Sequence, residues 1–241
     1  MDTKRHLSET PLLDFNHLSL TKLVNARGWN SLDQYEKIGA AYCFVKDEIA
    51  FGYSEADNIP ASKVLGDGYG QCNTKAILLM ALLRKIGVPC RIHGFGIDKR
   101  VQKGTVPGVL YVFAPSTLLH TWVEVEYTQR WLHLEGCILD KEYLTQVRNM
   151  FGNGAVSVCG YGVAVGNVMN PPVQWQGTNT YIQHDAIVED YGTFDTPDDL
   201  YRDRGANLRN SRIRHLLFKH IVRKWMNAKV ARIRGRKPSL N

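Results

Sequence analysis

Cys72 is placed where its thiol could do chemistry, since it follows the glycine-rich turn GDGYGQ and opens a strongly apolar segment. The run AILLMALL predicts a buried helix from about Cys72 to Ile86. In the first helical turn a thiol lies at the positive end of the helix dipole, beside unpaired N–H groups that favour the thiolate and suit an oxyanion. Taken alone, a cysteine at a helix start is more often a small buried residue, so this hypothesis requires a partner.

The segment LLHTWVEVEYTQRWLHLEG supplies a candidate partner and predicts a β-hairpin. Its two strand patterns run from His120 to Tyr127 and from Arg130 to Glu135, with Thr128-Gln129 at the turn. Because strand residues alternate between faces, the aliphatic side chains share one face, which we expect to be the core side. Those side chains are Val123, Val125, Leu132 and Leu134.

The opposite face of this hairpin carries His120, Trp122 and two candidate acids, Glu124 and Glu135. His120 is diagonal to Glu135, with backbones about 7–8 Å apart, so the two side chains reach each other. Glu124 shares the face but lies about 13 Å along the strand, too far to orient the imidazole. Cys137 lies opposite His120 in this register and is a weaker candidate nucleophile, because it has no helix N-terminus. A cysteine, a histidine and a carboxylate in this order describe a nucleophile, a base and an orienting acid.

The spacing of these elements resembles the transglutaminase-like superfamily. The family pattern is a Gly-rich turn with G-x-C, a buried helix ending in G-[IV]-P-x-R, then H-x-W-x-E-V and W-x-x-x-acid. The matching elements within about Ala61 to Asp140 are Gly70-Gln71-Cys72, Gly87-Val88-Pro89-Cys90-Arg91, His120-Thr121-Trp122-Val123-Glu124-Val125 and Trp131 to Glu135. The resemblance implies an α+β, papain-like fold with a buried nucleophile helix packed on an antiparallel sheet. It also implies acyl-thioester chemistry that needs no cofactor.

The chain departs from the family pattern at the acid. The family usually has Asp four residues after the tryptophan, often followed by Pro-Thr, whereas this chain has Glu135-Gly136-Cys137. Glu135 is the favoured acid, because its extra methylene still allows contact with the imidazole. Asp140 is the alternative if the chain turns back after Gly136.

Three further residues are candidates for shaping the site. Gln71 and Tyr69 flank the nucleophile and could contribute to an oxyanion hole or a substrate wall. Trp122 is either a wall of the acyl channel or a packing residue. Within the strands, His133 is expected to be a half-exposed residue rather than a base.

Composition excludes several other classes of protein. The 241 residues are 44% hydrophobic and 22% charged, as in ordinary globular proteins. The N-terminus lacks the apolar stretch of a signal peptide, and no run approaches the roughly 18 apolar residues of a membrane span. The five cysteines are scattered without a C-x-x-C pair, so we expect no disulfide framework, no metal site and a cytoplasmic location. The turn before Cys72 lacks the lysine and serine of a phosphate-binding loop.

Positive charge is concentrated at the C-terminus. Of the net charge of +7, residues 201–241 carry thirteen Lys or Arg and one acid, Asp203. The pattern predicts a basic amphipathic helix from Ser211 to Ile233 whose packed side carries Ile213, Leu216 or Leu217, His220 or Ile221, and Trp225. The helix either packs on the body with a solvated basic face or, less favoured, lets residues 209–241 bind nucleic acid or an anionic surface.

We expect four segments that together form one compact domain: an N-terminal helical extension packed on the core (1–60), a catalytic core (61–150), an irregular or strand extension (151–205) and the basic helix with its tail (206–241). The leading hypothesis is a cysteine-dependent amide hydrolase or acyl transferase acting through Cys72. Its substrate would be a peptide, a protein or a small amide or thioester, with water or an amine as acyl acceptor. The rival hypothesis is a non-catalytic transglutaminase-like module that binds nucleic acid, membrane or protein through its basic helix.

Overall fold

The computed structural model describes residues 4–112, 114–154, 157–207 and 218–235. Its helices are α1 (Leu18–Ala26), α2 (Gln34–Asp47), α3 (Ala61–Asp67), α4 (Cys72–Lys85), α5 (Gly108–Val112), α6 (Lys141–Phe151), α7 (Pro197–Arg204) and α8 (Arg223–Ile233). Its strands are β1 (Ala50–Phe51), β2 (Tyr69–Gly70), β3 (Cys90–Asp98), β4 (Thr117–Tyr127), β5 (Arg130–Leu134), β6 (Val158–Gly160), β7 (Val163–Val165) and β8 (Ile187–Phe194). A π-helical turn, Phe218–Val222, leads into α8.

A four-stranded antiparallel sheet of order β5-β4-β3-β8 forms the centre of the fold. Two smaller pairs, the parallel β1-β2 and the antiparallel β6-β7, lie outside it. Helix α4 packs against β3 and β4 on one side and against α1, α2 and α3 on the other. The predicted α+β class, with a buried helix on an antiparallel sheet, is confirmed.

The predicted helix that begins at Cys72 forms as α4 and is buried from Asn73 through Arg84. Its apolar residues contact neighbours in every direction, so they supply much of the main core cluster. Gly87 ends the helix with a φ of 79°, a left-handed conformation that glycine adopts without strain. The position of the helix that begins at Cys72 is therefore fixed by the packing of its buried residues.

The hairpin of β4 and β5 has the predicted register. Thr128 and Gln129 both have positive φ values, 48° and 62°, as in the two-residue turns that match strand twist. Val123 pairs with Leu134 and Glu124 with His133. The aliphatic side chains of this hairpin face α4, as predicted.

The position predicted for Cys137, opposite His120, is wrong. Strand β5 ends at Leu134, because the Glu135 amide donates to the carbonyl of Thr180 at 3.1 Å and the chain leaves the sheet. Gly136 then packs so closely that an added Cβ would lie 2.5 Å from the Tyr42 hydroxyl. The Cys137 side chain turns into the core instead.

Lys75, although fully buried, ties α4 to the turn that follows the hairpin. Its Nζ donates to the carbonyl oxygens of Lys46 at 3.2 Å, Ile49 at 2.8 Å and Ile138 at 3.1 Å. Burial lowers the pKa of this amine to about 8. Because the three carbonyls come from two separate segments, one side chain holds α4, the end of α2 and the turn after Glu135 together.

The C-terminal segment packs on the body. Residues 211–217 of the predicted helix, and the tail from 236 onward, lie outside the described residues. Over the described part, Met226 and Val230 are buried, whereas Ile221 and Trp225 are 48% and 59% exposed. The prediction that Ile221 and Trp225 face the body is therefore wrong. The side chains that pack on the body, Met226 and Val230, lie one position further along the helix.

No helix in the described ranges is long and apolar enough to cross a membrane.

A buried carboxylate, that of Glu124, organises the face of the sheet that lies away from α4. It accepts hydrogen bonds from Arg91 Nε and His93 Nδ1, both at 2.7 Å, while His133 Nε2 lies 3.6 Å away. Burial alone would raise the pKa of this carboxyl, but the bonds from His93 and Arg91 outweigh it and lower the pKa to about 2. Glu124 is thus a structural acid of the sheet face.

We expect Glu124→Gln to lower the free energy of unfolding by roughly 1–3 kcal/mol at pH 7. The depressed pKa contributes stability above the unfolded value near 4.5, and this contribution is lost as the pH falls through about 2. Denaturant unfolding should therefore show that the free energy of unfolding of Glu124→Gln differs more from that of the wild type at pH 7 than at pH 3. Glu126→Gln, on the same strand face but less buried, is the control. An equal difference at both pH values would contradict this account.

Candidate active site

The structure brings together His120 and Glu135 beside the start of α4. His120 lies in β4, and Glu135 is the first residue after β5, where the chain turns away from the sheet. The distance from His120 Nε2 to Glu135 Oε1 is 2.8 Å, and both side chains are fully buried. Cys72 is the first residue of α4 and is half-buried.

Two backbone amides hold the Glu135 carboxylate in place. Its Oε2 accepts hydrogen bonds from the N–H groups of Ile182 at 2.9 Å and Gln183 at 3.1 Å. Its Oε1 remains for the histidine, so the buried charge has three donors around it. A buried carboxylate is costly without such partners, and here they also fix its direction.

Asp140, the alternative acid, does not reach the histidine. Its side chain accepts from the N–H of Tyr143 at 2.9 Å, where it caps α6, and from the N–H of Phe51 at 2.7 Å. It also pairs with Arg234 of the C-terminal segment. Asp140 is therefore occupied as a structural anchor, and Glu135 is the carboxylate that contacts His120.

The charge state of His120 depends on Cys72 and Glu135. Burial lowers the pKa of the imidazole, but the Cys72 sulfur and the Glu135 carboxylate together outweigh burial and raise the pKa to about 10. Nε2 is taken by Glu135, and Nδ1 has no hydrogen-bond partner at bonding geometry among the described residues. Nδ1 is thus the ring nitrogen left free for proton exchange.

Asn73 links the nucleophile helix to the strand that carries His120. Its Nδ2 donates to the carbonyl of Leu119 at 3.1 Å, and its Oδ1 accepts from the Thr121 hydroxyl at 3.1 Å. These two residues flank His120 in the chain. The same Oδ1 lies 3.6 Å from Cys72 Sγ. One buried amide thereby fixes the distance between α4 and the histidine.

The other predicted site residues are spread around this centre. Gln71 Oε1 accepts from the N–H of Ser54 at 2.8 Å, and its Nε2 donates to Asp57 at 3.0 Å. The Tyr69 hydroxyl points elsewhere and accepts from Arg223 at 2.9 Å.

Trp122 lies in an aromatic group on the open face of the sheet. Its ring centroid is 4.1 Å from that of Phe95 and 4.9 Å from that of His133. Phe95 in turn lies 6.4 Å from the ring of His120. Trp122 does not line the cavity at Cys72, so its contacts are those of a packing residue.

A cavity of 270 Å³ opens beside Cys72. Its polar lining residues include Ser54, Asp57, Gln71, Asn73, Gln183 and Asn207, and most of its other walls are apolar. Among the residues described, no cluster of three or more His, Cys, Asp or Glu side chains could hold a metal ion.

Three features of the site have only weak signals in the sequence. Asn73 directly follows the nucleophile, and its position at a helix start could have marked it as a hydrogen-bonding residue. Gln183 contacts Glu135 from 48 residues away, and no local pattern points to that contact. The third feature is the wall that the C-terminal segment contributes to the cavity, through Phe218, Val222 and Met226.

Residues 24–136 match the family model of the transglutaminase-like superfamily. The resemblance seen in the sequence motifs is therefore confirmed over these residues. No curated protein matches the chain significantly in sequence.

Two solved structures are similar to the chain. A candidate cysteine protease from Cytophaga hutchinsonii is 12% identical over 82% of this chain, with a TM-score of 0.48. Red sea bream transglutaminase is 15% identical over 55% of this chain, with a TM-score of 0.31. The chain spans 48% of the length of the first and 25% of the second.

We expect Glu135→Gln to lower the rate of Cys72 alkylation by iodoacetamide at pH 7 by about 10²-fold. The glutamine must direct its oxygen to the N–H groups of Ile182 and Gln183, so its NH₂ faces His120 Nε2 and favours the tautomer with the proton on Nδ1. That tautomer cannot accept the thiol proton. Glu124→Gln is the matched control, because it removes a buried carboxylate from the face of β4 that carries His120. Equal rates in the two variants would contradict this role for Glu135.

Proposed function

We propose that this chain is a cysteine-dependent amide hydrolase or acyl transferase that forms an acyl-thioester on Cys72. The main support for this proposal is the position of the buried His120, which interacts with Cys72 and with the Glu135 carboxylate. The second oxygen of that carboxylate accepts hydrogen bonds from two backbone amides. The superfamily match supports a cysteine-dependent enzyme at a coarse level. The finer assignment of roles is our own.

In the resting site His120 already holds the thiol proton on Nδ1, so the first half of the reaction begins with attack of the Cys72 thiolate on the carbonyl carbon of the acyl donor. Glu135 stabilises this imidazolium and keeps Nε2 protonated. The positive end of the α4 dipole is suited to the developing oxyanion, with Gln71 beside it. The imidazolium then gives its proton to the leaving group, and the acyl-thioester remains.

In the second half, an acceptor attacks the thioester carbonyl while His120 removes its proton. Water gives a free acid, which makes the enzyme an amidase or peptidase, and an amine gives a new amide, which makes it a transamidase. We propose hydrolysis as the main reaction, since water is always present to accept the acyl group. Both outcomes use the same acyl-enzyme and restore the same thiol.

The rival hypothesis of a non-catalytic binding module has less support. Lys219 pairs with Glu55 at 2.7 Å, Arg223 bonds the Tyr69 hydroxyl, and Arg234 pairs with Asp140. These three basic side chains are therefore directed at the body. Their contacts favour a structural use of the C-terminal segment over a nucleic-acid interface.

Alkylation kinetics of the five thiols test the proposal. Cys43 and Cys159 are exposed, Cys72 is half-buried, and Cys90 and Cys137 are buried. Exposure alone therefore predicts that Cys43 and Cys159 react first, whereas an activated nucleophile makes Cys72 the fastest. Although both residues are exposed, partial desolvation of their thiols raises the pKa values of Cys43 and Cys159, which lowers their thiolate fraction.

We expect iodoacetamide at pH 7 to modify Cys72 at least about tenfold faster than Cys43 or Cys159, as followed by peptide mass spectrometry. His120→Ala should remove the difference, because the thiol then has no base. The proposal fails if Cys72 reacts no faster than the two exposed thiols, or if His120→Ala leaves its rate unchanged.

A further inference from the structure

The cavity beside Cys72 has a polar end and an apolar end. The polar lining residues Gln71 and Asn73 adjoin Cys72 in the chain, where a carbonyl group and its leaving group would lie. The apolar lining residues include Ile97, Val101, Val106, Leu118, Phe218, Val222 and Met226. Most of these belong to buried clusters of the fold.

The charge of the lining suits an uncharged occupant. Asp57 is the carboxylate among the described lining residues, and no lysine or arginine is among them. Both of its oxygens are used, since Oδ1 accepts from Gln71 and Oδ2 accepts from the backbone and side-chain N–H groups of Asn207. The Tyr53 hydroxyl is likewise bonded to Thr105. An ionic substituent in the apolar end would find no countercharge there.

The C-terminal segment supplies one wall of this apolar end. Phe218, Val222 and Met226 follow each other at four-residue intervals and all line the cavity. Asn227 anchors them, because its Oδ1 accepts from the Tyr53 N–H at 2.7 Å and its Nδ2 donates to the Tyr53 carbonyl at 3.0 Å. Tyr53 itself lines the cavity, so the wall is fixed directly to the opposite side.

We propose that the apolar end of the cavity is an acyl-chain site and that the C-terminal segment determines which chain length it accepts. This proposal rests on the proposed acyl-thioester function. The volume of 270 Å³ equals about nine water volumes at roughly 30 Å³ each. On the same scale it fits an unbranched chain of about six to ten carbon atoms.

Acylation of Cys72, which places the acyl chain in this site, needs no further reactant. The Cys72 thiolate forms a C–S bond to the donor carbonyl, and the bond from that carbonyl to its nitrogen, oxygen or sulfur leaving group breaks. His120 gives the leaving group its proton. Water then cleaves the thioester, so a medium-chain carboxylic acid leaves and the thiol is restored.

A series of p-nitrophenyl acyl esters, from acetyl to dodecanoyl, tests the proposal in the full-length protein. Acylation of Cys72 is followed by intact-mass spectrometry and by release of p-nitrophenol. We expect kcat/KM to rise about fourfold per added methylene up to about ten carbons, and then to level off or fall.

Variants of the wall sharpen the test. Met226→Trp should shift the optimum to shorter chains and Met226→Ala to longer ones, so the two variants move it in opposite directions. Trp225→Ala changes an exposed neighbour on the same helix and should leave the profile unchanged. An optimum that is identical in all four proteins would overturn the acyl-chain site.

A binding measurement separates this inference from the proposed reaction. Octanamide is titrated calorimetrically into Cys72→Ala and into Cys72→Ala combined with Met226→Trp. The acyl-chain site is supported if octanamide binds Cys72→Ala and binds the double variant at least tenfold more weakly. If in addition no ester acylates Cys72, the proposed reaction is wrong but the acyl-chain site stands. Acylation of Cys72 without any dependence on chain length or on residue 226 supports the reaction and overturns the chain site.

Discussion

The hydrogen-bonded pair of His120 and Glu135 is the interaction on which the rest of the site depends. Its carboxylate is buried beyond the reach of water, so it is stable only with donors on both oxygens. Those donors come from β4 and from the segment at 182–183, which is distant in sequence. The strand therefore has to end at Leu134, and the chain has to turn through Gly136, for the carboxylate to meet both.

The nucleophile helix is positioned by polar contacts as well as by its apolar surface. Lys75 connects α4 to three backbone carbonyls, and Asn73 connects it to both neighbours of His120. Packing alone tolerates small shifts, but hydrogen bonds of fixed direction do not. Nucleophilic catalysis needs a sulfur and a base held in a fixed relative position, and these hydrogen bonds limit the movement of α4 relative to β4.

Local patterns in the sequence predict the parts of the site that form from neighbouring residues. The two-residue turn at Thr128-Gln129 and the alternation of β4 and β5 are sufficient for the register that brings His120 near Glu135. The apolar run after Cys72 is likewise sufficient for α4. The hairpin and the helix both form from contacts between residues that are close in the sequence, and in the hairpin side chains alternate strictly between the two faces.

Features that depend on distant contacts could not be predicted in this way. The end of β5 is set by Thr180, about 45 residues further on, so the local pattern predicts a longer strand and the wrong position for Cys137. The C-terminal helix offers two adjacent apolar rows, and the sequence does not say which one the body receives. Asn227 and Arg234 select the row of Val222 and Met226 through their contacts with Tyr53 and Asp140.

The most direct test of the account is the protonation of His120, measured by ¹⁵N NMR of the imidazole ring as a function of pH. Coupling to Cys72 and Glu135 raises the pKa of this buried histidine to about 10, so the ring should stay cationic well above neutral pH. In Cys72→Ala the loss of the thiolate should lower that pKa, because one of the two charges that favour the cation is gone. A pKa near 6.5 in the wild type, or one that Cys72→Ala leaves unchanged, would contradict the account.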